Sequence, residues 1–235
     1  MKAIQIEEGT ASADEPFVVS NRQVLLIGMN AVNHVLILGT VGFLCYEARE
    51  FRHSTDLHAL LCTIGYVLLM AEAIVSLAGE NAWTFRLTRR GSTHVHWILQ
   101  VLGATCTVTG VLYKYLNKRS HFNSLHSILG IVSVGCITVV CVSGLPALFA
   151  AKLRRKIKPV TAKFAHNSLG VLCFVTGMAA QVLAYHRTKF LRTKYGDEVI
   201  YAVTVTTVLI TLLSLVGATR QLSQQLRGVL RLARK

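Results

Sequence analysis

Two stretches decide the reading of this chain: "SHFNSLHSILGIVSVG", residues 120–135, and "KFAHNSLGVLCFVTG", residues 163–177. Each opens a long apolar run with the pattern His-x-x-Leu-Gly, at His126 and His166. About 20 mostly apolar residues are needed to cross a hydrocarbon core of roughly 30 Å. Working outward, runs of that length lie near 24–46, 57–78, 95–116, 125–149, 164–186 and 199–219. Backbone polar groups in lipid must be satisfied within the segment, so uninterrupted runs mean helices. The expectation is an all-α membrane protein with six transmembrane helices. Of its 235 residues 52% are hydrophobic and only 15% charged, which leaves little chain for a separate soluble domain.

Three parts are expected: a polar N-terminal segment 1–23, a six-span domain 24–219, and a basic tail 220–235 that is solvated rather than folded. The first 23 residues lack the basic start and short apolar centre of a signal peptide, so the first span is expected to stay in the mature protein. The formal charge of +14 is distributed as membrane topology, not as a nucleic-acid footprint. With the N-terminus inside, 16 Lys and Arg fall on the cytoplasmic side and 9 on the other, the 187–194 loop being a basic exception. Both termini are then cytoplasmic. All six cysteines lie within spans and read as small apolar residues. No C-x-x-C-H offers covalent haem attachment.

His58, His96, His126 and His166 fall in the opening turns of the second to fifth spans. Successive spans run in opposite directions, so His58 meets His126 near one surface and His96 meets His166 near the other. Residues four and seven further on share a face with each histidine. They are Cys62 and Gly65, Gln100 and Gly103, Gly130 and Ser133, Gly170 and Cys173. Small residues on one stripe let helices or a flat ligand approach the backbone. The same test selects His96 over His94, which heads Ile98 and Val101. His34 is expected to bond a neighbouring helix, and His53 and His186 to sit at the surface.

Paired histidines can hold zinc, copper or haem. Zinc wants four ligands at one point, which two separated pairs do not supply. Two axial imidazoles suit a haem iron, since the porphyrin supplies the other four ligands. A fully ligated iron passes single electrons. The expectation is two non-covalent haems b in a central four-helix bundle. The alternative is a His-lined metal-ion transporter, which needs acidic partners beside the histidines; Glu72 is the one intramembrane candidate.

The segments "LHALLCTIGYVLLMAEA", "RRGSTHVHWILQ", "HFNSLHSILG" and "KFAHNSLGVL" resemble the cytochrome b561 family of transmembrane electron carriers, in particular its short, domain-only members. The resemblance covers about residues 25 to 220. It implies a di-haem core in the second to fifth spans, a homodimer, and an enzyme that moves electrons from cytoplasmic ascorbate to ferric iron or monodehydroascorbate across the bilayer. It also implies that basic residues in the cytoplasmic loops bind ascorbate, with "RRG" standing where the branch has "RKG". On charge alone, Arg90, Lys156, Lys158 and Lys163 crowd the cytoplasmic pair and suit an anionic donor. Positive-inside anchoring and haem propionate pairing explain them equally well. On the far side, His121, five residues before His126 and beside Lys118, Arg119 and Asn123, is the candidate acceptor contact. An endomembrane and the plasma membrane both remain open as the location.

Overall fold

The computed structural model describes residues 20–51 and 53–234. Residues 1–19, with Lys2 and most of the expected N-terminal segment, lie outside the described residues, as do Arg52, Lys235 and the side chain of Phe190. Six helices are long and apolar enough to cross a bilayer: α1 (Asn21–Ala48), α2 (Ser54–Val75), α3 (Arg89–Leu116), α4 (Leu125–Leu148), α5 (Pro159–Arg187) and α7 (Asp197–Ala233). A short α6 (Lys189–Tyr195) precedes α7, separated from it by Gly196 at φ 81°. Neighbouring spans run antiparallel. The face where α1 begins is called the first face, and the opposite one the second.

Several helices begin earlier than hydropathy alone suggests, because polar residues cap them in the headgroup flank. Thr88 Oγ1 accepts from the Gly91 amide at 3.1 Å, so α3 starts at Arg89. Ser20 and Gln23 bond reciprocally at the start of α1, Ser124 and Ser127 at the start of α4, and Pro159 opens α5.

α2 is not a uniform α-helix. Its middle, Thr63–Met70, is π-helical. An unbroken α-helix would bring residue 72 round to the face of His58 after about four turns. Under-winding over these eight residues turns Glu72 away from that face. Beyond Val75 the chain folds back, and Asn81 Nδ2 and Thr84 Oγ1 donate to the Val75 and Ser76 carbonyls at the helix end.

The buried apolar cluster draws on α1 (Ile37, Val41), α2 (Tyr66, Val67, Met70), α4 (Ile137), α5 (Cys173, Phe174, Met178) and α7 (Ile210, Leu215). Large apolar side chains such as Val35, Leu112, Val142 and Leu212 point outward, as a lipid-facing surface requires. Glycines set the closest helix contacts. A Cβ on Gly103 would stand 2.9 Å from the Gly65 carbonyl oxygen, and one on Gly177 would enter the Tyr66 ring.

The basic tail differs from expectation. It continues α7 as helix to Ala233 and packs on α5: Asn167 Nδ2 donates to Gln225 Oε1 at 3.0 Å, and Gly228 lies against Val160. Its amides find partners on the bundle, which a hydropathy reading cannot register. The basic 187–194 loop is also partnered. Lys194 reaches the Glu47 carboxylate at 2.9 Å, Arg192 reaches Asp197 at 2.7 Å, and Tyr195 and Glu47 hold the Lys194 ammonium above its ordinary pKa.

Gly103→Val should therefore lower the thermal stability of the detergent-solubilised protein, by about 1–3 kcal/mol as overpacking does. Gly39→Ala, which meets open space, should leave the melting temperature unchanged.

Candidate functional site

His58 stands in the second turn of α2 and His126 in the first turn of α4, both toward the second face. Their ring centroids are 6.1 Å apart and the ring planes cross at 77°. Each anchors its Nδ1 on a backbone carbonyl of a neighbouring span. His58 Nδ1 lies 3.0 Å from Gly110 O on α3, and His126 Nδ1 lies 2.9 Å from Ala180 O on α5. A carbonyl only accepts, so Nδ1 carries the hydrogen and Nε2 is left as the lone-pair nitrogen. A metal-containing cofactor at this face would be held through these Nε2 atoms.

On the first face the anchors differ in part. His96 Nδ1 is 2.8 Å from Ala73 O, and His166 Nδ1 is 3.3 Å from Ser143 Oγ. The Ala73 carbonyl is available because α2 is ending: the Leu77 amide bonds Ile74 O instead, and Ser76 Oγ also donates to Ala73 O at 2.7 Å. His96 and His166 line one cavity of about 1100 Å³ that reaches inward to Gln100 and Gly170. This is large for a small-molecule site, commonly ~300–1,000 Å³.

The small-residue stripes divide into two uses. A Cβ on Gly130 or Gly170, four residues after His126 and His166, would meet nothing within 4 Å. Gly65 and Gly103, seven residues after His58 and His96, press α2 against α3, and Cys173 Sγ meets Ser133 O at 3.7 Å between α5 and α4. Open space beside the glycines, anchored Nδ1 atoms and free Nε2 atoms fit a flat cofactor held by paired imidazoles. His58 with His126 and His96 with His166 are the residues that would hold it.

The expected substrate residues are placed unevenly. Arg90, Lys156 and Lys158 are exposed and, among the described residues, do not line the first-face cavity; Arg89 and Lys163 do. Helical phase carries this signal: Arg89 precedes His96 by seven residues and Lys163 precedes His166 by three, each on the ligand's stripe. His121 stacks on Tyr115 at 4.1 Å between centroids. His34 does bond a neighbouring helix, through Glu72, and His53 and His186 are exposed.

A family model described as eukaryotic cytochrome b561 matches residues 57–192, which contain all four histidines. Transmembrane reductase CYB561D2 of Homo sapiens is 26% identical over 157 residues, covering 65% of this chain and 70% of that protein. The Bos taurus protein of the same name is 26% identical over 170 residues, covering 71% and 76%. The probable ascorbate-specific transmembrane electron transporter 1 of Oryza sativa subsp. japonica is 25% identical over 166 residues, covering 67% and 69%.

Gly170→Leu should still fold, since a Cβ there meets open space, yet lose most of its bound haem. The ratio of haem absorbance to protein in purified samples measures this.

Proposed function

This chain belongs to the eukaryotic cytochrome b561 family, and from that premise we propose that it is a transmembrane oxidoreductase carrying electrons from ascorbate on the first face to ferric iron or monodehydroascorbate on the second. The observation that carries the reading is the arrangement of the four histidines. Each has Nδ1 tied to a neighbouring helix and Nε2 free, and they lie two by two toward opposite faces. Haem b held between such imidazoles supplies a one-electron carrier with no open coordination position. The names of the relatives, transmembrane reductase and ascorbate-specific electron transporter, support the same reading.

The residues of the first face prepare a donor site. Arg89 and Lys163 put two cations in the wall of the cavity that also contains His96 and His166. Ascorbate is an anion at neutral pH, and charge-assisted hydrogen bonds from such groups would hold and orient it. The excess of Lys and Arg on this side makes it the cytoplasmic face, with both termini there. On the second face, His121 on its Tyr115 platform, with Lys118 and Arg119 nearby in sequence, offers a contact for the acceptor. Two copies of the chain would form the working assembly.

A His-lined transporter fits less well. Glu72, the acid it would need beside the histidines, is bonded instead to His34 and Trp83. Among the described residues no group of three or more His, Cys, Asp and Glu side chains converges.

The purified protein should show a reduced haem-b band, with part of it lost in His96→Ala and in His58→Ala. In sealed vesicles with ascorbate on the cytoplasmic side, ferric chelate outside should be reduced. Arg89→Gln should raise the KM for ascorbate about tenfold, the worth of one hydrogen bond to a charged group, and Arg90→Gln by much less. Ascorbate that leaves the haems oxidised would exclude it as the donor.

A further inference from the structure

His34 and Glu72 take no part in the two histidine pairs, yet they form a buried ionisable contact within the spans. Glu72 Oε1 lies 2.7 Å from His34 Nδ1, and Glu72 Oε2 accepts from Trp83 Nε1 at 3.1 Å. The side chains are only 15% and 13% exposed. An intramembrane carboxylate marks function by default. Here the π-helical turn of α2 and the folded-back loop both serve to partner it.

The histidine's other nitrogen is the informative atom. His34 Nε2 is buried and has no hydrogen-bond partner. With Nδ1–H given to the carboxylate, Nε2 is a bare imine nitrogen, the atom that takes a proton when imidazole becomes imidazolium. Asn30, one turn before His34 on the same face of α1, lines a cavity of about 20 Å³ together with Ser214, Glu80 and Arg220. That is room for one water, on the first-face side of the pair. Asn33, bonded to Ser214 at 3.0 Å, adds a second buried unpartnered atom, Oδ1, to this region.

The pair is also joined to an expected iron ligand. Glu72 and Ala73 share a peptide bond, and the Ala73 carbonyl accepts from His96 Nδ1. The other charged or titratable groups on the surrounding elements are few. Glu80 and Arg220 lie 3.9 Å apart, from the loop and α7, Arg86 lies over Phe85 in the loop, and α3 brings His96 itself. α1 offers only the neutral Asn30 and Asn33 beside His34. Arg89 and Lys163 stand as cations in the cavity wall shared by His96 and His166, and the His34–Glu72 pair is joined to His96 from the other side through the Glu72–Ala73 peptide.

We propose that His34 and Glu72 form a redox-linked proton site, resting on the haem ligation proposed above. One proton adds to His34 Nε2 when an electron reaches the centre held by His96 and His166, and it leaves when the electron moves on. One electron and one proton enter, and one of each departs. The only covalent bond made and broken on the protein is the N–H of His34, and the proton exchanges with water on the first face.

The test is an equilibrium redox titration of the purified full-length protein, followed by haem absorption over a pH series, with haem content measured first. Proton uptake on reduction stabilises the reduced form at low pH. In the parent protein the midpoint of one haem should accordingly fall as pH rises. In Glu72→Gln and in His34→Gln, which keeps a donor to Glu72 without a titratable nitrogen, that slope should flatten while the other haem's slope is unchanged. Should Glu72→Gln fail to fold, His34→Gln decides alone. A parent protein with two haems and no such slope, or variants that keep it, would overturn the proton site and leave the electron-transfer reading intact. A parent protein that binds no haem would overturn both.

Discussion

A histidine in lipid has two nitrogens to satisfy, and the whole arrangement depends on how one of them is satisfied. In three of the four paired histidines Nδ1 is held by a backbone carbonyl of another span, and in the fourth by Ser143. Backbone acceptors do not rotate or titrate, so they fix both the tautomer and the plane of each ring. The acceptor also has to be free. At His96 it is free because α2 stops within a turn of Ala73, so the end of one helix and the orientation of a ring on the next are a single structural fact.

The spans and the approach of His58 to His126 were legible in the sequence, because both follow from run length and from the alternation of direction that short loops enforce. His58 against His126 needs no more than that. Helical phase would also have shown Arg89 and Lys163, rather than Arg90, Lys156 and Lys158, on the stripes of His96 and His166. Charge alone brings in Lys163 but does not separate Arg89 from Arg90. The partner of His34 was not legible. Glu72 lies about four turns from His58 on an ideal helix, and only the π-helical stretch turns it toward α1. Apolar residues such as those of "TIGYVLLM" carry no periodic mark that separates π from α winding.

The tail shows a different limit. Hydropathy falls after residue 219, and a sequence reading equates that fall with the end of structure. Yet Gln221 donates to Leu77 O, Gln225 pairs with Asn167, and Arg220 faces Glu80. These contacts couple the last turns of α7 to the loop that closes α2 and to the start of α5. The tail is thereby part of the wall around His96 and His166, a first-face feature read from sequence only as charge.

The division of the small residues explains how one bundle can be tight and hollow together. Where Gly65 meets Gly103 and Cys173 meets Ser133, backbones approach and the helices are locked. One turn closer to each surface, beside Gly130 and Gly170, the same lack of side chain leaves room. A single stripe therefore changes from packing to cavity along its length, with the imidazole at the open end. Widening the contact would loosen α2 from α3, whereas filling the space would leave the helices in place and close the room beside the imidazoles. Because these costs fall on different residues, helix packing and the open space in this bundle are separable by single substitutions.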